Sequence, residues 1–130
     1  LNKYKSLINN IRNIDVFNKW IPNDEIEGFF KRKNTITVLP YTSGTQSGII
    51  PIAMLSNSLI ISSKICGLVD QLNGCGILFN INDSLDLSDK MGSILNEQIN
   101  ITDITKKAKT YVKTQTWDKM IEKLLKEIKI

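Results

Sequence analysis

A chain of 130 residues can bury a core of ordinary single-domain size without disulfides, and the spacing of its two cysteines, Cys66 and Cys75, fits no zinc or redox motif. With no histidine anywhere, Ser-His-Asp and Cys-His catalysis are excluded within the chain, and no metal site is expected. The net charge of +4 is held by the helix-forming ends, where cations alternate with acids, which argues for solvated helical faces and against a nucleic-acid surface.

Apolar residues at Leu1, Tyr4, Leu7, Ile8 and Ile11 follow one helix face, so the chain opens inside a helix. Ile14 to Phe17 then reads as a short strand, and because no strand precedes the first helix, the segment resembles the second half of a strand-helix unit. Asn23 is placed to cap a helix that turns Ile26, Phe29 and Phe30 inward, with Lys31-Arg32-Lys33 at its negative C-terminal end. The β-branched run Thr35 to Leu39 predicts a strand that Pro40, lacking an N–H, closes.

A helix from about Gln46 to Ser56 is apolar on most sides and therefore buried, and Pro51 is tolerated in its first turn, where N–H groups lack intrahelical partners. Leu59 to Ser62 is a continuous apolar run of the kind that lies in the middle of a parallel sheet. Cys66 to Leu72 predicts at most two helical turns ending at Asn73-Gly74, and Gly76 to Phe79 a further strand. Helices follow from Asp83 or Ser84, from about Thr102 to Lys113, and over Trp117 to Ile128, the last strongly amphipathic.

This alternation predicts an α/β fold, a doubly wound, mostly parallel sheet of about four strands with helices on both faces. Ligands of such sheets lie beyond the carboxyl ends of the strands, where Tyr41–Gly48 and Cys66–Gly67 are expected to converge. Between Thr42 and Gly48 every side chain except Gln46 is small, so a ligand can approach the backbone. Free N–H groups at the start of a helix suit a phosphate or diphosphate. The alternative is an ordinary strand-to-helix connection that Ser47 or Thr45 merely caps.

The segment Pro40-Tyr41-Thr42-Ser43-Gly44-Thr45-Gln46-Ser47-Gly48-Ile49-Ile50-Pro51-Ile52-Ala53, followed by Leu59–Ser62, Cys66-Gly67-Leu68-Val69-Asp70 and Gly74-Cys75-Gly76-Ile77-Leu78, resembles a known pattern. It is similar to the C-terminal, Rossmann-like donor-binding domain of retaining GT-B glycosyltransferases of the group 1, or family-four, type. The match is to members reading P-Y-x-S-x-T-Q-S-G-x-x-P-x-A, then a hydrophobic strand, G-G-L-x-E and G-x-G-x-L. The similarity spans about the whole chain, and the Trp117 helix looks like the family's closing helix.

The resemblance implies binding of a nucleotide-diphosphate sugar, without a metal or other cofactor, for transfer to a glycan or lipid-linked acceptor in polysaccharide biosynthesis. It puts the donor diphosphate at Ser43, Gly44, Thr45, Gln46, Ser47 and Gly48, and the nucleobase at Trp20 and Ile21; core packing is an equal alternative for Trp20. Gly44 and Ile52 stand where many members carry two glutamates, Cys66 replaces the first glycine of the Gly-Gly pair, and Asp70 stands for its glutamate. The family's basic pair and its N-terminal acceptor domain have no counterpart in these residues, so 1–130 is expected to be a single partial domain holding no catalytic residue of its own.

The competing expectation is a non-catalytic nucleotide-binding or interaction module of the same descent. The apolar face of Trp117–Ile128 is expected to be covered by the missing domain or by self-association. No bilayer-spanning run and no signal-peptide pattern is present, so a cytoplasmic place is expected, with weak attraction of the basic ends to an anionic membrane surface left open.

Overall fold

The computed structural model describes residues 4, 8, 11–30, 32 and 34–128. The helix expected over Leu1–Ile11 lies largely outside them, as do Lys31 and Lys33 of the basic triplet. Among the described residues the elements run α1 (Asn23–Phe30), β1 (Ile36–Leu39), α2 (Ile49–Leu55), β2 (Leu59–Ser63), α3 (Cys66–Leu72), β3 (Ile77–Phe79), α4 (Ser84–Leu95), α5 (Ile101–Val112) and α6 (Trp117–Ile128).

The sheet is open and parallel, in the order β1-β2-β3. Ile36 pairs with Leu59 and Leu39 with Ser62 across the first junction, and Ile61 pairs with Ile77 across the second. β2 is central, and all five of its residues are buried. Side chains alternate across a strand, so Ile60 enters a core with Ile50, Met54, Leu68 and Leu72, while Leu59 and Ile61 enter another with Phe79 and Ile94. The sheet is therefore covered on both faces. α5 serves both cores, through Ile101 and Ile104 at its start and Ala108, Tyr111 and Val112 towards its end.

Buried hydroxyls join β1 to β2. Thr37 Oγ1 lies 2.7 Å from Ser58 Oγ, and Ser58 Oγ donates to the Thr35 carbonyl at 3.0 Å. No buried side-chain nitrogen or oxygen is left without a partner among the described residues, as burial in a low-dielectric core requires. Helix starts follow local chemistry: Asp83 accepts from the Asp86 N–H at 2.9 Å, and Asn100 from the Asp103 N–H at 3.1 Å. Asn34, Asn57, Asn73 and Asn82 take positive φ at the junctions between elements, a backbone region asparagine tolerates better than most side chains.

Two expectations are corrected. About four strands are expected, and three form among the described residues: Ile14–Phe17 joins no sheet. A strand needs a neighbour to take its N–H and C=O groups, and the strand-like composition of Ile14–Phe17 does not supply one. Phe29 is 39% exposed; in place of the core it meets Phe17 edge to face, with ring centroids 5.3 Å apart. None of the described helices is long and apolar enough to cross a membrane.

Candidate functional site

The loop between β1 and α2 is held at both ends by residues distant in sequence. At its start, the buried Ser63 Oγ at the end of β2 donates to the Tyr41 carbonyl at 2.6 Å and lies 3.3 Å from the Leu39 carbonyl. At its end, the Gln71 side chain on α3 forms two bonds to one residue. Its Oε1 accepts from the Ser47 N–H at 2.8 Å, and its Nε2 donates to the Ser47 carbonyl at 2.9 Å. The amide thus pairs with Ser47 as a neighbouring strand would, satisfying backbone groups that no strand reaches.

Ser47 is the loop's internal anchor. It is buried, its Oγ accepts from the Ile49 N–H at 3.3 Å, and the Tyr41 hydroxyl lies 3.4 Å away. With its N–H taken by Gln71, Ser47 has no backbone donor to offer a ligand. The exposed Ser43, Gly44, Thr45, Gln46 and Gly48 surround it. Gly44 has φ +154°, a backbone that favours glycine, whereas Gly48 lies in the ordinary helical region with open space where a side chain would go.

The second loop meets the first at Gly67. A Cβ there would lie 2.0 Å from the Thr45 carbonyl oxygen, so only glycine lets α3 approach this closely. The convergence of Tyr41–Gly48 with Cys66–Gly67, expected from topology, is therefore present. It lies beyond the carboxyl ends of β1 and β2, where α/β sheets hold their ligands. The exposed Lys64, just past the end of β2, makes no ion pair among the described residues.

A cleft of about 760 Å³ opens from this junction. Thr45, Gln46, Gly67, Asp70 and Gln71 line it, together with Ile50, Pro51 and Met54 of α2. Tyr111, Val112 and Gln115 at the end of α5, with Trp117 and Met120 of α6, complete it. Among the described residues Asp70 is its only charged lining residue. Ile52 lines a different, smaller pocket with Ile26 and Leu55. Trp20 is 86% exposed, Ile21 is half-buried, and neither lines the cleft.

Cys66 is exposed beside the junction, and Cys75 is buried. Burial pushes the Cys75 thiol above its ordinary pKa, with the Lys107 charge acting in the opposite sense. Among the described residues no group of three or more Cys, Asp or Glu side chains is placed to hold a metal ion. Gln71, Lys64 and the Tyr111–Trp117 wall were missed by sequence reasoning. Only Gln71 left a signal, a long polar side chain next to Asp70 in a two-turn helix whose other residues are small or apolar. No protein-family model matches the chain, and no curated protein matches it.

Proposed function

We propose that this chain is the donor-binding, Rossmann-like part of a glycosyltransferase that moves a sugar from a nucleotide diphosphate to a glycan or lipid-linked acceptor. One observation carries the reading: the two stretches that resemble the family's motifs, Tyr41–Ala53 and Gly67–Gly76, meet where Gly67 abuts Thr45.

The diphosphate is assigned to the N–H groups of Gly44, Thr45, Gln46 and Gly48, which Ser63 and Gln71 hold in place through Tyr41 and Ser47. Preorganised donors of this kind favour the charge that grows on a departing diphosphate, and each is worth about 10²–10³ in rate where it has been removed from other enzymes. α2 has seven residues, so its dipole adds less than the loop donors do. Lys64 is the nearest cation in sequence to the junction and is assigned to balancing phosphate charge.

A non-catalytic phosphate-binding or interaction module is the second reading. It is favoured by Asp70, an acid and the only charged lining residue of the cleft among the described residues, which opposes a diphosphate in place of neutralising it.

Calorimetric titration with UDP, GDP and their sugar conjugates tests both. Binding of one nucleotide diphosphate, weakened about tenfold or more by Gly48→Glu, is the expected result. A Cβ at Gly48 meets no atom within 4 Å and its backbone is in the ordinary helical region, so the position accepts a side chain, and Gly48→Gln controls for the carboxylate's charge. Binding of pyrophosphate or phosphate with no preference for any nucleotide selects the module. No heat from any nucleotide on a folded chain refutes the donor site.

A further inference from the structure

We infer that α5 carries a second anion site, where Lys106, Lys109 and Lys113 receive a phosphate group borne by a soluble ligand or by a lipid headgroup. The three lysines line a pocket of about 330 Å³ with Thr102, Thr110 and Asn57. None of these residues lines the cleft that opens from Gly67, so the site stands whether or not a nucleotide binds there.

Helical spacing puts the lysines together. Ile101, Ile104, Ala108, Tyr111 and Val112 of α5 belong to the two cores, whereas Thr102, Lys106, Lys109 and Lys113 follow i, i+4, i+7 and i+11 along another face. Asn57, in the turn before β2, joins that face from outside the helix.

The face has cations and no counter-charge. Elsewhere Lys90 meets Asp86 at 3.6 Å on α4, and Lys123 meets Glu127 at 4.0 Å on α6. On α5, the residues three and four positions from Lys109 are Thr105, Lys106, Val112 and Lys113. Asp103, the helix's one acid, accepts from the Asn100 side chain at 2.9 Å as part of the helix cap. Glu97 lines an adjoining pocket that also contains Arg32, so that side adds no net negative charge.

Among the described residues none of the three ammonium groups makes an ion pair or a hydrogen bond, although Lys109 is half-buried. Like charges at this spacing repel, and an ammonium partly withdrawn from water without a partner is costly. A bound oxyanion removes both costs. The helix dipole accounts for cations in the last turn only, and Lys106 lies in the middle of α5. The Thr102 hydroxyl and the Asn57 amide add neutral donors, and the volume suffices for a phosphate group.

The test uses the Gly48→Glu chain, whose candidate loop carries a carboxylate against anions. It is titrated with inorganic pyrophosphate at low ionic strength, and separately mixed with phosphatidylcholine vesicles with and without phosphatidylglycerol. Pyrophosphate binding that shifts the amide resonances of Asn57, Thr102 and Lys109 assigns the site to a soluble ligand. Sedimentation with phosphatidylglycerol vesicles alone assigns it to a headgroup.

Lys106→Gln, Lys109→Gln and Lys113→Gln combined are expected to weaken that binding about tenfold or more, the scale of a lost charge-assisted hydrogen bond. Lys119→Gln, Lys123→Gln and Lys126→Gln combined, on α6, change the net charge equally and are expected to leave it within about twofold, as screened charges away from the site should. Circular dichroism checks both folds. Equal weakening by the two triple variants, shifts confined to other residues, or no binding of either probe overturns the inference. Nucleotide binding that Gly48→Glu removes is read on the unsubstituted chain, so the donor site and this one can fail separately.

Discussion

The middle of the chain and its two ends obey different rules. Among the described residues, all buried ones lie between Thr37 and Ala108. α1 and α6 contain none, although α6 has an apolar stripe as regular as any helix in the middle. Periodicity of apolar residues is enough to mark a helix, but burial needs a second surface to meet it. β2 supplies that surface on both of its faces, and α2, α3, α4 and α5 gather around it. Charge divides the same way. Residues 34–99 carry two basic and five acidic side chains, whereas 100–130 carry eight and four and 1–33 seven and four. The candidate site sits on the seam, built by the middle and lined also by Trp117 and Met120.

The sharpest way to break this contrast is to remove the same kind of side chain from each region. Ile61→Ala, in the fully buried centre of β2, is expected to cost about 2–5 kcal/mol in urea denaturation. Leu124→Ala on the open face of α6 is expected to stay within about 0.5 kcal/mol. Equal losses would show that α6 is covered in solution and that the division is wrong.

The next largest effect concerns the junction. Gly67→Ala sets a methyl group against the Thr45 carbonyl, and α3 or the loop must move, at about 1–3 kcal/mol. Proton and nitrogen shifts of Thr45 and Gln46 are expected to change while those of α4 do not. A spectrum unchanged at the loop would mean that the close approach is absent.

Gln71→Leu keeps the side chain's bulk but strips the buried Ser47 N–H of its partner and leaves its carbonyl only the Ile50 N–H at 3.3 Å, at about 1–3 kcal/mol. Hydrogen exchange at the Ser47 amide is expected to accelerate beyond exchange at Ile60, because the loop can open without the sheet. If both speed up equally, the loop and the core are one cooperative unit.

The smallest effect separates the thiols. Cys66 is expected to react with a disulfide reagent well before Cys75, which is buried and holds its proton more tightly than an ordinary thiol. The sign of the pH dependence follows. With the folded pKa raised above the unfolded one, Cys75 contributes stability that is complete below the ordinary thiol range and is lost as pH rises through the raised value. Cys75→Ala should remove that part of the alkaline slope in a pH series of urea midpoints, and an unchanged slope would assign it to other groups.

From residue 34 onward, element order and type were legible before any coordinates. The β-branched run before Pro40, the continuous apolar Leu59–Ser62 and the Asn73-Gly74 stop each act through the chain's own neighbourhood, and each element formed within one to three residues of its expected bounds. At the amino-terminal side the same reasoning fell short. Ile14–Phe17 reads as a strand by composition and has no partner, and Phe29, placed inward by helical spacing, meets Phe17. The candidate loop was visible as a row of small residues, but which of its donors are already engaged was not, because Gln71 is 24 positions from Ser47.

The sequence by itself determined where helices and strands lie in the middle of this protein, since caps, turns and apolar periods are local forces acting over a few residues. Only the tertiary structure decided that three strands pair, that Gln71 holds Ser47, and that Trp117 shares a cleft with Thr45. These depend on side chains far apart in the chain finding one another, and the energies that bring them together are set by shape and burial, which no short stretch of sequence contains.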